Sequence, residues 1–253
     1  MIYFKSKQEI DFMRKAGEIA AEALARVMDA IEPGVTTKEL DKIAEKFIRK
    51  KGARPAFLGY MGYPASICVS INDEVVHGIP SEKRIIKEGD LVSVDLGVEF
   101  EGYFGDIAAS MVVGDGPEAA YRLVEVTRRS LFKGIEKAVP GNRLFDISGT
   151  IQETVEKEGF SVVRQYVGHG IGKKLHEEPQ VPNFGKKGTG ILLKSGITLA
   201  IEPMVNEGTY EVFTLSDGWT VKTKDGKLSA HFEHTVAITE NGPEILTAHE
   251  KFL

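Results

Sequence analysis

The sequence predicts an α+β fold built from two similar halves, about residues 1–115 and 116–253, packed as a single catalytic domain of 1–253. Three observations carry this. Two helical segments followed by strand-like pieces occur twice, in the same order. The residues that end those segments are a constant 107 positions apart: Pro33 and Pro140, Gly34 and Gly141, Gly52 and Gly159. No Ser-, Pro- or charge-rich stretch separates the halves, which favours a shared core. A repeat this long, in two copies, is not a solenoid and points to two α+β units side by side.

The first helix is expected over Ser6 to Ile31. It opens on a capping box, Ser6 with Glu9, and carries apolar residues at Ile10, Met13, Ala20, Leu24, Val27 and Ile31. Pro33-Gly34 stops it. A second capping box, Thr36 with Glu39, opens a helix with Leu40, Ile43, Phe47 and Ile48 on one face and a stop at Gly52. Strands follow around Ile67 to Ile71, Leu91 to Phe100 and Tyr103 to Val113. From Pro117 the order restarts, with helices through Leu123, Leu131 and Ile135 and through Ile147, Ile151 and Val155.

Composition narrows the function class. Of 253 residues, 42% are hydrophobic and 27% charged, near soluble averages, and the net charge of −5 argues against DNA or RNA as the main partner. The one cysteine, Cys68, has no internal disulfide partner, which suits a reducing cytoplasm. Met1-Ile2-Tyr3-Phe4-Lys5 runs straight into a polar helix, so no signal peptide is expected, and no apolar run is long enough to span a membrane. The expected protein is cytoplasmic, with a monomer as the default.

The chemistry gathers on the hairpin around Asp95 to Asp106. Leu91-Val92-Ser93-Val94 alternates as a half-buried strand does, and Glu101-Gly102 supplies a two-residue turn. With that turn, paired positions sum to 203, so Asp95 faces position 108 and Asp106 lies on the same side of the ribbon. The two carboxylates become diagonal neighbours, roughly 7–8 Å apart or less at their bases. Like charges that close need a proton or a cation. The offset of 107 extends to Lys87 and Lys194, Gly89 and Gly196, and Asp95 and Glu202, so each half ends a strand in a carboxylate. Glu233, after the Asp225-Gly226 turn, is expected as the second half's answer to Asp106.

Four carboxylates on two repeated hairpins suit divalent cations, and imidazole donors tilt the choice toward Mn²⁺, Fe²⁺, Co²⁺ or Zn²⁺. His169 among the glycines 168, 170 and 172, His176 in Leu175-His176-Glu177, and His77 in Val76-His77-Gly78 are available. Singly, each of these residues has an ordinary structural reading; acids recurring at the ends of apolar strands, where an unpaired charge is costly, do not. Two cations sharing carboxylates can activate water near neutral pH and stabilise a tetrahedral intermediate.

With Cys68-Val69-Ser70-Ile71-Asn72-Asp73-Glu74-Val75-Val76-His77-Gly78-Ile79-Pro80, the Asp95/Asp106 hairpin, Gly168-His169-Gly170-Ile171-Gly172, Ile201-Glu202-Pro203-Met204 and Glu233-His234-Thr235, the chain resembles the type I methionine aminopeptidases along essentially its whole length. The resemblance implies the creatinase-like or pita-bread fold, with an antiparallel sheet flanked by helices. It implies two divalent ions held by Asp95, Asp106, His169, Glu202 and Glu233, with Asp106 and Glu233 bridging. Glu202 would relay the proton of the attacking water, His176 would steady the scissile carbonyl and its oxyanion, and His77 would contact the amide on the leaving side. Phe57, Tyr60, Tyr63, Cys68, Leu175 and Trp219 would line the methionine pocket. Two positions depart from the pattern: Phe57 stands where several relatives have Cys, and Leu175 where an aromatic residue is frequent.

The activity implied is removal of the initiator methionine from nascent polypeptides whose second residue is small; by that rule the chain, beginning Met1-Ile2, keeps its own Met1. The alternatives are a proline-directed aminopeptidase or prolidase of the same fold, which usually carries an extra N-terminal domain, and a non-catalytic pita-bread protein binding RNA or protein, which is expected to lose ligands. Lys222, Lys224 and Lys227 near the Asp225-Gly226 turn are a candidate for transient ribosome contact, or simply a solvated hairpin tip.

Overall fold

The computed structural model describes residues 2–253; Met1, and with it the expectation about its retention, lies outside the described residues. Helix α1 spans Lys7–Asp29 and α2 Thr37–Lys50, each opening on its capping box: Ser6 and Thr36 Oγ accept from the N–H of Glu9 and Glu39, whose carboxylates accept from the cap residue's own N–H. Short β1 (Arg54–Pro55), a 3₁₀ turn at Tyr60–Gly62, β2 (Cys68–Ile71) and β3 (Glu74–Val76) lead to the long hairpin β4 (Leu91–Phe100) and β5 (Tyr103–Val112). The second half brings α3 (Glu118–Ile135), α4 (Leu144–Glu156), β6 (Ser161–Val162), β7 (Gly168–Gly170), β8 (Glu177–Val181) and β9 (Thr198–Ile201). Then come β10 (Met204–Asn206), β11 (Val212–Thr214), β12 (Val221–Thr223), β13 (Ser229–His231), β14 (Glu233–Thr239) and β15 (Gly242–Ile245).

One antiparallel sheet runs through both halves in the order β1-β4-β5-β14-β9-β7-β8, with β2 also on β4 and β15 also on β14. Helix α1 lies across β4 and β5, and α3 packs on α4 and on β5 and β13. The approach of α1 is close because glycines meet: a Cβ on Gly105 would lie 2.6 Å from the Gly17 nitrogen. Gly105 points to the helices, so its neighbour Asp106 points to the other face. That face carries the site.

The β4–β5 register pairs Asp95 with Ala108 and Gly97 with Asp106, as the two-residue turn predicts. Glu101 (φ 51°) and Gly102 (φ 78°) are both left-handed, the conformation of a type I′ hairpin. Register also corrects one expectation. Asp95 pairs with Ala108, Ala108 with Glu233, and the β9–β14 pairing of Ile201 with His234, continued by one residue, brings Glu202 to Glu233. Exchanging the halves takes Asp95 to Glu202 and Ala108 to Glu233, and therefore Asp106 to His231. The side-chain bonds repeat that exchange. Asp106 donates its N–H to Thr235 Oγ1, whose hydroxyl donates to the Asp106 carbonyl; His231 donates its N–H to Ser110 Oγ, whose hydroxyl donates to the His231 carbonyl. Glu233 is thus not the mate of Asp106. Residues 204–231 intervene between the paired strands β9 and β14, which shifts the offset from 107 to 125 for this part of the repeat.

In the basic cluster Lys224 and Lys227 are exposed and Lys222 is half-buried. Lys222 lies 2.6 Å from Asp73 and Lys224 3.2 Å from Glu211.

Candidate metal centre and substrate pocket

The sheet register sets two rows of side chains on one face. The first is Cys68, Asp95, Ala108, Glu233 and Glu202; the second, two residues along, is Gly97, Asp106, Thr235, Ala200 and His169. The five residues expected as ligands therefore converge from β4, β5, β7, β14 and the end of β9. Donor atoms of Asp106, His169 and Glu233 lie within 4.8 Å of one another, and so do those of Glu202, His231 and Glu233. Glu233 belongs to both groups.

The glycines beside His169 follow from crowding. A Cβ at Gly168 would meet the Ala200 carbonyl at 2.4 Å, and one at Gly170 the Glu178 carbonyl at 2.2 Å. His169 Nδ1 meets the Gly170 carbonyl at 2.9 Å, so the proton sits there and Nε2 faces the acids with its lone pair, 3.5 Å from Glu202 Oε1. Burial, with His176 nearby, holds its pKa down to about 3, so the imidazole is neutral.

The four acids are in the opposite condition. Asp95, Asp106 and Glu233 are buried and Glu202 is partly so. Burial pushes all four carboxyl groups above the usual carboxylate range. For Asp95 the charge of Asp106 adds to this, and for Glu202 and Glu233 the charges of both aspartates. Among the described residues no Lys or Arg pairs with any of the four, and Asp95 Oδ1 and Glu233 Oε1 accept no hydrogen bond. Buried oxygens without donors, gathered around a neutral imidazole, form a set that fits divalent cations of the borderline kind.

Beside the acids opens a cavity of about 190 Å³, lined by all five expected ligands, by His77 and His176, and by Phe57, Tyr60, Tyr63, Cys68, Leu175 and Trp219. All thirteen residues singled out from the sequence meet there. Tyr63 is fixed by its hydroxyl, which donates to the Ile67 and Gly78 carbonyls at 3.1 and 3.2 Å, and by Trp219, edge-on at 5.0 Å. Phe57 lies over Gly97, where a Cβ would come within 2.8 Å of its ring. Cys68 is buried beside Asp95, and burial pushes its thiol up, so it acts as neutral wall. His77 holds a left-handed φ of 60° opposite Trp219, and burial lowers its pKa to about 4. His176 stands at the exposed mouth with Nδ1 2.7 Å from the Tyr60 hydroxyl and its ring 4.2 Å from that of His169.

Two residues escaped sequence reasoning. Met61, exposed and with φ 48°, completes the rim, and no pattern in the sequence marks it. His231 was legible only through the offset of 125.

Residues 11–240 match the model of metallopeptidase family M24. The chain belongs to metallopeptidase family M24. Within it the chain falls with the methionine aminopeptidases: it is 57% identical to the methionine aminopeptidase of Clostridium acetobutylicum, over 99% of this chain and 100% of that one. The crystal structure of the Thermotoga maritima methionine aminopeptidase superposes with a TM-score of 0.97 at 51% identity, covering 98% of this M24 chain and all of that one. A prolidase from Pyrococcus horikoshii shares the fold at a TM-score of 0.79 and 27% identity, but this chain covers only 64% of it. The pita-bread fold expected from the sequence is the fold observed, and the type I methionine aminopeptidase resemblance extends over the full chain.

Proposed function

We propose that this M24 metallopeptidase removes the initiator methionine from nascent polypeptides whose second residue is small, residues 1–253 acting as one catalytic unit. The observation that carries the reading is the set of four carboxyl groups without a Lys or Arg partner and one neutral imidazole, lining an aromatic-walled cavity of about 190 Å³. Asp95, Asp106, His169, Glu202 and Glu233 would hold two divalent ions, Mn²⁺, Fe²⁺, Co²⁺ or Zn²⁺. Bound divalent ions supply Lewis acidity, acidifying water to a usable nucleophile and polarising a carbonyl.

The chain's own residues do the rest. Phe57, Tyr60, Tyr63, Cys68, Leu175 and Trp219 receive the methionine side chain and place its carbonyl at the acids. Glu202 takes a proton from the attacking water and delivers it to the departing amide nitrogen as the C–N bond breaks. A Tyr60 hydroxyl that donates to His176 Nδ1 leaves an N–H on Nε2 for the carbonyl oxygen and the oxyanion. His77, kept neutral and held against Trp219, contacts the amide on the leaving side.

Prolidase activity, the rival within the fold, draws on lower identity and partial coverage. The two separate in one assay. Metal-supplemented protein is expected to release methionine from Met-Gly-Met-Met and to leave Xaa-Pro peptides intact; the reverse preference would overturn the reading. Nascent chains as substrate go with a cytoplasmic location, to which the buried free thiol of Cys68 conforms; no described helix is long and apolar enough to cross a membrane. Ribosome contact through Lys222, Lys224 and Lys227 is a separate proposal, weakened by the pairing of the first two with Asp73 and Glu211.

A further inference from the structure

We propose that His231 is a positioning residue for this centre, its Nε2–H holding the carboxylates of Glu202 and Glu233 in their ligating orientations. The inference rests on the metal-centre reading above.

The fold places His231 with unusual care. It occupies in the second half the place that Asp106 occupies in the first, and its main chain is fixed on both sides by one hydroxyl: Ser110 accepts from the His231 N–H at 2.9 Å and donates to its carbonyl at 2.8 Å. Ser110 is itself backed by the Ser93 hydroxyl at 2.7 Å. The backbone thus has little freedom, and the side chain goes where the acids are.

The imidazole is 1% exposed and its Nε2 has no hydrogen-bond partner. The acidic oxygens it faces are Glu202 Oε2 at 3.8 Å and Glu233 Oε2 at 4.0 Å. These separations exceed direct hydrogen bonds, and hydrogen bonds at such sites tighten when the centre is loaded. A lone pair pointed at two carboxylate oxygens is repulsive, whereas an N–H is attracted to both, and a charge-assisted bond is the stronger kind.

Comparison with His169 separates positioning from ligation. A ligating histidine passes its other ring N–H to an acceptor, as His169 passes Nδ1–H to the Gly170 carbonyl. Among the described residues His231 Nδ1 has no such acceptor. Glu202 therefore lies between two unlike imidazoles, with Oε1 toward the lone pair of His169 and Oε2 toward the N–H of His231.

The test is a calorimetric titration of Mn²⁺ into the metal-stripped full chain and two variants. His231→Met keeps the volume without the N–H, and is expected to weaken binding about 10–100-fold, the usual cost of losing an outer partner of a metal ligand. His231→Gln, whose amide N–H₂ has similar reach, is expected to recover most of that loss. Wild-type affinity in His231→Met would overturn the proposal, as would a His231→Gln variant as weak as His231→Met. His231→Asn, polar but too short to reach either acid, takes the place of His231→Met if that variant does not fold. A wild-type chain that binds no Mn²⁺ would defeat the metal-centre reading, and this one with it.

Discussion

Asp95, Asp106, Glu202 and Glu233 sit in a condition that proteins avoid unless something else enters, since buried acids this close hold on to protons. The sign of the linkage follows. An acid whose folded-state pKa is raised stabilises the fold below the ordinary carboxylate range, and that contribution is lost as pH rises through the raised value. The metal-free chain is therefore expected to lose melting temperature between about pH 5 and 8, relative to the metal-loaded chain at each pH. Over the same range metal affinity is expected to rise, with protons released on binding, because cations compete with protons for the same oxygens. His169, its pKa held down to about 3, is neutral over this range and brings no proton to that competition. Melting scans and calorimetry in two buffers of different ionisation enthalpy measure both; an affinity flat from pH 5 to 8 would contradict the account.

Elements bring those residues together, and their legibility in the sequence differs. The β4–β5 register could be read in advance because Glu101-Gly102 permits only a tight turn, and both helix starts because capping boxes are local. The Glu233 correspondence was misread for an equally physical reason: residues 204–231 form β10 to β13 between β9 and β14, and a correspondence counted along the chain does not survive such an insertion. His231 was hidden by the same shift. The pocket was legible only by resemblance, since Phe57, Tyr60 and Tyr63 from the β1–β2 connection meet Leu175 and Trp219 from two distant loops with no shared periodicity. Packing of α1 on β5 makes a prediction at this scale. Gly105→Ala puts a methyl group against the Gly17 backbone, which cannot recede without moving the helix, and is expected to cost about 1–3 kcal/mol in denaturant unfolding. An unchanged midpoint would mean that the helix does not pin the hairpin.

At the scale of the molecule, one sheet brings together the residues of the proposed centre from both halves: Asp95 and Asp106 from the first, His169, Glu202 and Glu233 from the second. The repeat makes this possible, since each half brings a carboxylate, Asp95 within β4 and Glu202 just past β9, and the two central strands, β5 and β14, pair between them. A cation at the junction would cross-link the halves and stabilise the fold by mass action. The central claim is that this junction is where hydrolysis occurs. Its most direct measurement follows methionine release from Met-Gly-Met-Met while Mn²⁺ or Co²⁺ is titrated into the metal-stripped chain, beside Asp106→Asn. Release is expected to rise with ion occupancy, to stop on chelation, and to fall by more than about 100-fold in Asp106→Asn, because even outer partners of ligands are worth about 10–100-fold. Release that persists after complete metal removal, or that survives in a folded Asp106→Asn chain, would contradict it.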